Sequence, residues 1–517
     1  MPFARISWKR DYGNPTMSSK ERPILVGAGQ YMERPQNLED ALSPSDMMEE
    51  TARLAAEDAG LTKAALAELD RIIVVNSVGR TIPNPTAALA KRLGAESCDQ
   101  LLTITGGNTP QLLVNHTAES IAKGEVSMVL LAGAEALDTV LKARKSGVRL
   151  DWQEGQFAEP TLFSGEKPPS SEMELAHGMM APINTYPLFE NALRHHYGRT
   201  FQTHQAALGA LCAPFTEVAA ANPFAWFPIR RSAEEIATAS ADNRYIGYPY
   251  TKFMNAIIRV NQSAAVLLTS ETKAQALGID PSRYVYLHGC ADANDIWHVT
   301  ERLNYHSSPA IQAVGERALD MAGKTIDEID CFDLYSCFPS AVETARDMLG
   351  IQEGDPRPLT VTGGLPYFGG PGNNYVMHSI AAMMARLRES PGAFGIVTGN
   401  GWYLTKHSLG IYSTIRPTAE FIREDPQILQ ERIDRVEHPA SVTTPSGPAT
   451  VETYTVLFDR QGEPERGLII GRLDSGARFV AFTSNEAALL SNLTSESPID
   501  RRGQVRQAGS TNLFEFA

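Results

Sequence analysis

The sequence predicts an α/β fold of two related halves, followed by a small all-β module. Three observations predict it. Short, continuously apolar segments alternate with helical ones, the pattern of parallel strands joined by crossover helices. One helix-and-strand unit occurs twice, as ETARLAAEDAGLTKAALAELDRIIVVNS over 50–77 and as ERALDMAGKTIDEIDCFDLYS over 316–336. Each copy has a helix ending in Ala-Gly, an acidic Glu-x-Asp stretch and an apolar strand with a polar end, and each follows another apolar strand, at 24–28 and 284–288. Near Glu420 the composition changes to a charged connector and then to period-two alternation.

The elements follow in order. PILVGAG at 23–29 is the first strand, and a helix over 43–60 follows, with Ser45 as its N-cap and Gly60 where a C′ glycine belongs. The apolar run 72–75 suits a strand buried on both faces. A helix over 85–94 leads to a strand at 101–104, Gly106-Gly107, a helix over 109–123 and a buried strand at 128–133. The segment 137–250 breaks the rhythm with Pro168-Pro169, Pro182, Pro187, Pro214, Pro223, Pro228 and Pro249, and reads as a long insertion over a sheet edge. The strand at 264–268 restores the pattern, and the halves meet near 270–283. The domains expected are therefore a flexible arm (1–21), a first half (22–275), a second half (276–418), and a connector with its β module (419–495). The module has strands at 450–458, 468–473 and 478–482, which suggests a barrel of the OB type; 496–517, rich in Ser, Arg, Gln and Gly, is expected to be a mobile tail.

Bulk composition bounds the function. The chain has 517 residues, 43% hydrophobic and 21% charged, and a net charge of −14. An acidic chain is a poor phosphate-backbone binder, and the aromatics of the β module (Tyr454, Phe458, Phe479, Phe482) alternate as a core does. Nucleic acid is not expected as a partner. Five scattered cysteines make no disulfide framework, which suits a reduced, cytoplasmic setting. No apolar run approaches the ~18 residues of a membrane span. No three ligands stand at metal spacing, so no metal is implied.

Four polar or glycine-bearing loops end strands of the α/β part: Gly106-Gly107-Asn108-Thr109-Pro110, Tyr335-Ser336-Cys337-Phe338, 363–371 (GGLPYFGGP) and Thr398-Gly399-Asn400-Gly401. Their order and spacing, with the duplication and stretches such as ESIAKG at 119–124 and NQSAA at 261–265, resemble the thiolase superfamily over residues 22–415. The resemblance implies a duplicated fold layered α-β-α-β-α. It also shows what is missing. Thiolases place a nucleophilic cysteine at the head of the helix after the third strand, where the helix dipole lowers its pKa. Counting back from Gly124, that position is Gly107. The loop with Gly-His-Pro in relatives reads Gly369-Gly370-Pro371, and the late Cys-x-Gly loop reads Gly399-Asn400-Gly401. Acyl-cysteine Claisen chemistry cannot run without these groups.

Other groups remain. Gly106-Gly107-Asn108 before a helix can present backbone N–H groups to a thioester oxygen or an enolate. Tyr335 stands where relatives hold a catalytic water or an oxyanion donor, and some thiolase-like aldolases use a tyrosine in this loop beside an OB-type partner. Asn373, Asn400 and the helix-borne His378 complete the catalytic candidates; Cys337 is a weaker candidate as a substitute nucleophile. Gly106, Gly107, Gly369, Gly370, His177 and Met179 are the candidates for binding the CoA ester, the last two because the family's insertion lines that pocket. The resemblance thus implies an acyl-CoA substrate with no covalently bound cofactor, in retro-aldol cleavage of a β-hydroxyacyl-CoA. Acyl transfer without a covalent intermediate, as in an acetyl-CoA acetyltransferase, and binding without chemistry are the alternatives. A homodimer or a monomer is expected.

Overall fold

The computed structural model describes residues 21–152, 155–165 and 167–517. The expected N-terminal arm lies, but for Glu21, outside the described residues. Along the first half run β1 (Pro23–Met32), α1 (Pro44–Asp58), β2 (Arg71–Val75), α2 (Pro85–Leu93), β3 (Asp99–Leu102), α3 (Thr109–Ala122) and β4 (Met128–Ala136). The insertion contributes α4 (Leu137–Ser146), β5 (Thr161–Leu162), α5 (Glu172–Ala176), α6 (Pro182–His196), α7 (Phe201–Ala221), α8 (Ala233–Ala237), β6 (Tyr245–Gly247) and β7 (Tyr250–Thr251). Then come β8 (Asn261–Ser270), α9 (Glu271–Ala276), β9 (Tyr286–Asn294), α10 (Pro309–Ala322), β10 (Cys331–Asp333), α11 (Pro339–Leu349), α12 (Tyr375–Glu389), β11 (Phe394–Gly401) and β12 (Lys406–Ser413).

The first sheet runs β1-β8-β4-β2-β3-β5 and the second β9-β12-β11-β10. The two orders match, first strand beside the last antiparallel strand and then parallel pairs, so the repeat in the sequence is a repeat in the fold. The match reaches single contacts. Gly27 on β1 passes so close to α1 that a Cβ there would run into the Ala55 carbonyl, and Gly289 on β9 meets the Ala318 carbonyl of α10 in the same way. Residues 358–359 extend the second sheet, accepting from the Phe332 and Leu334 N–H groups. Helices α3 and α12 lie between the sheets, with α1 and α10 outside them. The insertion does lie along an edge, since β5 pairs with the outer side of β3. The N-cap of α1 lies two residues earlier than expected. Ser43, not Ser45, is the N-cap, closed reciprocally with Asp46 around Pro44, and Ser45 is buried inside the first turn.

After α13 (Pro426–Asp434), the module consists of β13 (Gly447–Phe458), β14 (Pro464–Leu473), β15 (Arg478–Thr483), α14 (Ala487–Leu493), β16 (Arg502–Ala508) and β17 (Thr511–Phe516). Its strands close in the order β13-β14-β15-β17-β16 and back to β13, with β15 and β17 parallel. This is a small closed barrel of OB-type connectivity. The expected mobile tail is a correction: residues 502–516 are the hairpin that closes it. Only Gly503, Val505, Asn512 and Phe514 of that hairpin are buried, so its solvent side reads as polar tail. Tyr454, Phe479 and Phe514 fill the barrel core, so they are not displayed for stacking with bases.

Candidate functional site

Three of the four loops meet at the head of α3. Asn108 caps that helix, and the glycines before it let two other loops pack directly on the backbone. A Cβ on Gly107 would collide with the Tyr335 hydroxyl and the Asn400 carbonyl. The space beside Gly107 is thus filled by a phenol from the opposite half. Gly399 and Gly401 press on Asn108 from the end of β11. Asn108 Nδ2 donates to Ser408 Oγ (3.1 Å), and Asn108 Oδ1 and Asn400 Oδ1 have no hydrogen-bond partner. Asn373 bridges into the site: its Oδ1 accepts from the Gly106 N–H (3.0 Å) and its Nδ2 donates to the Asn76 carbonyl (2.8 Å).

Tyr335 is 8% exposed, and its N–H donates to Thr398 Oγ1 (2.8 Å). Burial raises its pKa, so the phenol stays protonated at neutral pH. Burial also pushes the Cys337 thiol up to about 12, which leaves almost no thiolate and argues against it as a nucleophile. A residue without any sequence signal organises the back of the site. Tyr186, from the proline-rich insertion, accepts from Asn400 Nδ2 (2.9 Å) and the Leu404 N–H (3.2 Å), and donates to the Trp402 carbonyl (2.8 Å). Trp402 and Leu404 both have positive φ (57° and 54°), and the Tyr186 hydroxyl pins that unusual turn. His407 Nε2–H donates to the Leu404 carbonyl (3.0 Å), and burial lowers its pKa to about 4.

Two cavities adjoin these residues. One of about 20 Å³ touches Tyr335, Thr398, Asn400 and His407, room for about one water. The other, about 380 Å³, opens beside Asn108 and Thr109 and is lined by Leu112, Phe163, Trp297, Lys406 and His407 among others.

The remaining sequence candidates lie elsewhere. Gly369 (φ 109°) packs on Gln262 and Val260, and the Gly370 N–H donates to the Ile257 carbonyl (2.8 Å). Their loop is tied to the insertion and the base of β8, and it reaches the Tyr335 loop through the Leu365 N–H, which donates to Ser336 Oγ (3.3 Å). His378 is fully buried on α12, its Nδ1 against Gln30 Oε1 of β1 (2.8 Å), and burial lowers its pKa to about 3. His177 ends α5 and holds the barrel: the Asn512 N–H of β17 donates to its Nε2 (2.9 Å), and its Nδ1–H donates to the Met173 carbonyl (2.7 Å). Met179 is a core side chain, 1% exposed. Each of these five meets a backbone or packing demand of its own surroundings.

Comparison with known proteins completes the description. The family "Thiolase-like protein type 1 additional C-terminal domain" matches residues 428–510. A monomeric SCP2-thiolase like protein type 1 from Mycobacterium smegmatis is 35% identical, with 97% of this chain and 100% of that chain covered, at a TM-score of 0.84. Two others, at 16% identity, share the fold. They are an acetyl-CoA acetyltransferase from Syntrophomonas wolfei (77% of this chain, 100% of that one, TM-score 0.56) and the Ltp2-ChsH2(DUF35) aldolase (77% and 99%, TM-score 0.58). A comparison with curated protein sequences gives no match. The chain therefore belongs to the SCP2-thiolase-like protein type 1 family, within the thiolase-like superfamily.

Proposed function

We propose that the chain acts on a CoA thioester without an acyl-enzyme, in carbon–carbon cleavage of retro-aldol type on a β-hydroxyacyl-CoA. The observation that carries this reading is the Tyr335 hydroxyl standing against Gly107, where the family's nucleophile would be. A phenol kept protonated by burial is suited to donate a hydrogen bond to the enolate oxygen that cleavage leaves on the thioester. The chamber of about 380 Å³ beside Asn108 is within the usual size of a small-molecule site, and its Lys406 suits an anionic ester. The aldolase that shares the fold lends the reaction class its precedent.

The test is turnover, followed by mass spectrometry, on a panel of β-hydroxyacyl- and β-ketoacyl-CoA esters. Cleavage of a β-hydroxyacyl-CoA is expected, with kcat lowered about 100-fold or more in Tyr335→Phe, as for loss of one oxyanion donor. Cleavage of a β-ketoacyl-CoA that requires free CoA would replace this reading with acyl transfer. A second reading, ester binding without chemistry, is favoured by the small space of about 20 Å³ beside Tyr335. It predicts a rise in Tm with the esters and no turnover.

A further inference from the structure

Away from this site, three elements bring ionisable groups together in the interior. Glu190 on α6, His204 on α7 and Glu343 on α11 are 0%, 1% and 2% exposed, and a polar atom of each lies within 4.8 Å of the others. The hydrogen bonds fix where the protons are. Burial lowers the His204 pKa to about 4, so the ring is neutral. Arg199 donates to its Nδ1 (3.4 Å), so the ring hydrogen is on Nε2, which donates to Glu190 Oε1 (2.7 Å). The Tyr250 hydroxyl donates to Glu190 Oε2 (2.7 Å). Glu190 thus accepts at both oxygens, as an ionised carboxylate does. Glu343 is hydrogen-bonded to Glu190, and a bond between two carboxyl groups needs a proton on one of them. That proton belongs to Glu343. Its Oε1 faces Arg199 at 3.6 Å, and its Oε2 receives no donor, as a hydroxyl oxygen need not.

The charges around the pair are already matched. Arg346 donates to Asp347 and to the Tyr197 hydroxyl, and Arg199 also pairs with Glu353. Arg194 bonds to the Arg199 carbonyl and Ser497 Oγ, and burial pushes the Cys212 thiol of α7 up to about 12, which keeps it neutral. The cluster also ties the insertion to the second half. Helix α6 carries Tyr186 one turn before Glu190, and α11 follows the Tyr335 loop, whose Phe338 ring stacks on Tyr186 (4.4 Å) and Tyr250 (5.6 Å).

We propose that one proton shared between Glu343 and Glu190 locks the insertion onto α11, and that rising pH weakens this lock and with it the turn that Tyr186 holds at 402–404. The lock is independent of the reaction proposed above. Burial, and next the Glu190 charge, raise the Glu343 pKa well above the ordinary ~4.3. The stability this group contributes is therefore complete below about pH 4.3 and is lost as pH rises toward the folded value.

The test compares the full chain with Glu343→Gln, whose amide can donate to Glu190 as the proton does. The infrared difference between the two in D₂O at pH 7 should contain the carbonyl band of a protonated carboxylic acid in the parent. The Tm of Glu343→Gln relative to the parent should rise by about 3 °C or more between pH 5 and pH 9. Protection of the 400–404 amides from exchange should fall about 10-fold more in the parent than in the variant over the same range. Glu190→Gln, which cannot accept at both positions, should lower Tm more than Glu343→Gln. No such band, a Tm difference that stays constant with pH, equal loss of protection, or a Glu190→Gln chain as stable as Glu343→Gln would each overturn the proposal. So would stoichiometric Zn²⁺ binding that is lost in His204→Gln, because it would make the cluster a metal site.

Discussion

The packing at the head of α3 turns on two residues, Gly107 and Tyr335. Removing the side chain at 107 gives the space into which Tyr335 and the Asn400 carbonyl pack. The two positions are coupled, since a side chain at 107 would run into the Tyr335 hydroxyl. Gly107→Ala should therefore destabilise by about 1–3 kcal/mol, the usual cost of overpacking. Tyr335→Phe in the same chain should recover only part of that, because the Asn400 backbone remains in the way. Urea unfolding of the single and double variants measures it; a Gly107→Ala chain as stable as its parent would contradict the contact. Both residues were legible in the sequence, Gly107 by counting from Gly124 and Tyr335 by its place at a strand end. Tyr186 was not, because a tyrosine in an aperiodic insertion carries no mark of the turn that it will hold.

At the scale of elements, the barrel is joined to the insertion and to the second half by short, specific contacts. Thr453 and Asn191 exchange hydrogen bonds with backbone across α6 and β13, Arg478 reaches the Thr300 and Arg302 carbonyls, and His177 receives the Asn512 N–H. That last bond requires neutral imidazole at Nε2, and burial lowers the pKa of His177 accordingly. His177→Ala leaves a buried N–H on β17 without its acceptor, at a cost of about 1–3 kcal/mol. Faster amide exchange confined to residues 502–516 is the expected result; unchanged exchange there would mean that the strand does not depend on His177. The strands of this hairpin escaped the sequence reading because alternation with so many charged outward residues looks like a solvated tail. Their pairing partners, β13 and β15, decide otherwise.

For the molecule as a whole, α3 and α12 are the layer on which both sheets rest, and His378 is buried within it. Its Nε2 has no partner, so a proton there would add an N–H with no acceptor. The folded pKa of about 3 lies below the ordinary value of ~6.5. The stability this group contributes is therefore complete above about pH 6.5 and is lost as pH falls toward the folded value. His378→Gln should reduce the loss of stability between pH 7 and pH 4 by about 3 kcal/mol. Denaturant melts of both proteins at the two pH values measure it, and equal losses would show that His378 titrates normally. By itself, the sequence determined the duplicated α/β halves, the added β module and the absence of a cysteine from 106–110 and 398–401. Those properties are local: strand and helix periods, a repeated segment and the residue types at strand ends. Only the tertiary structure decided that Tyr335 packs against Gly107, that His177 bonds the barrel, that Met179 and His378 are buried, and that the last residues close the barrel. Each of those outcomes depends on which distant backbone or side chain shares a buried space, and spacing along one chain does not encode that.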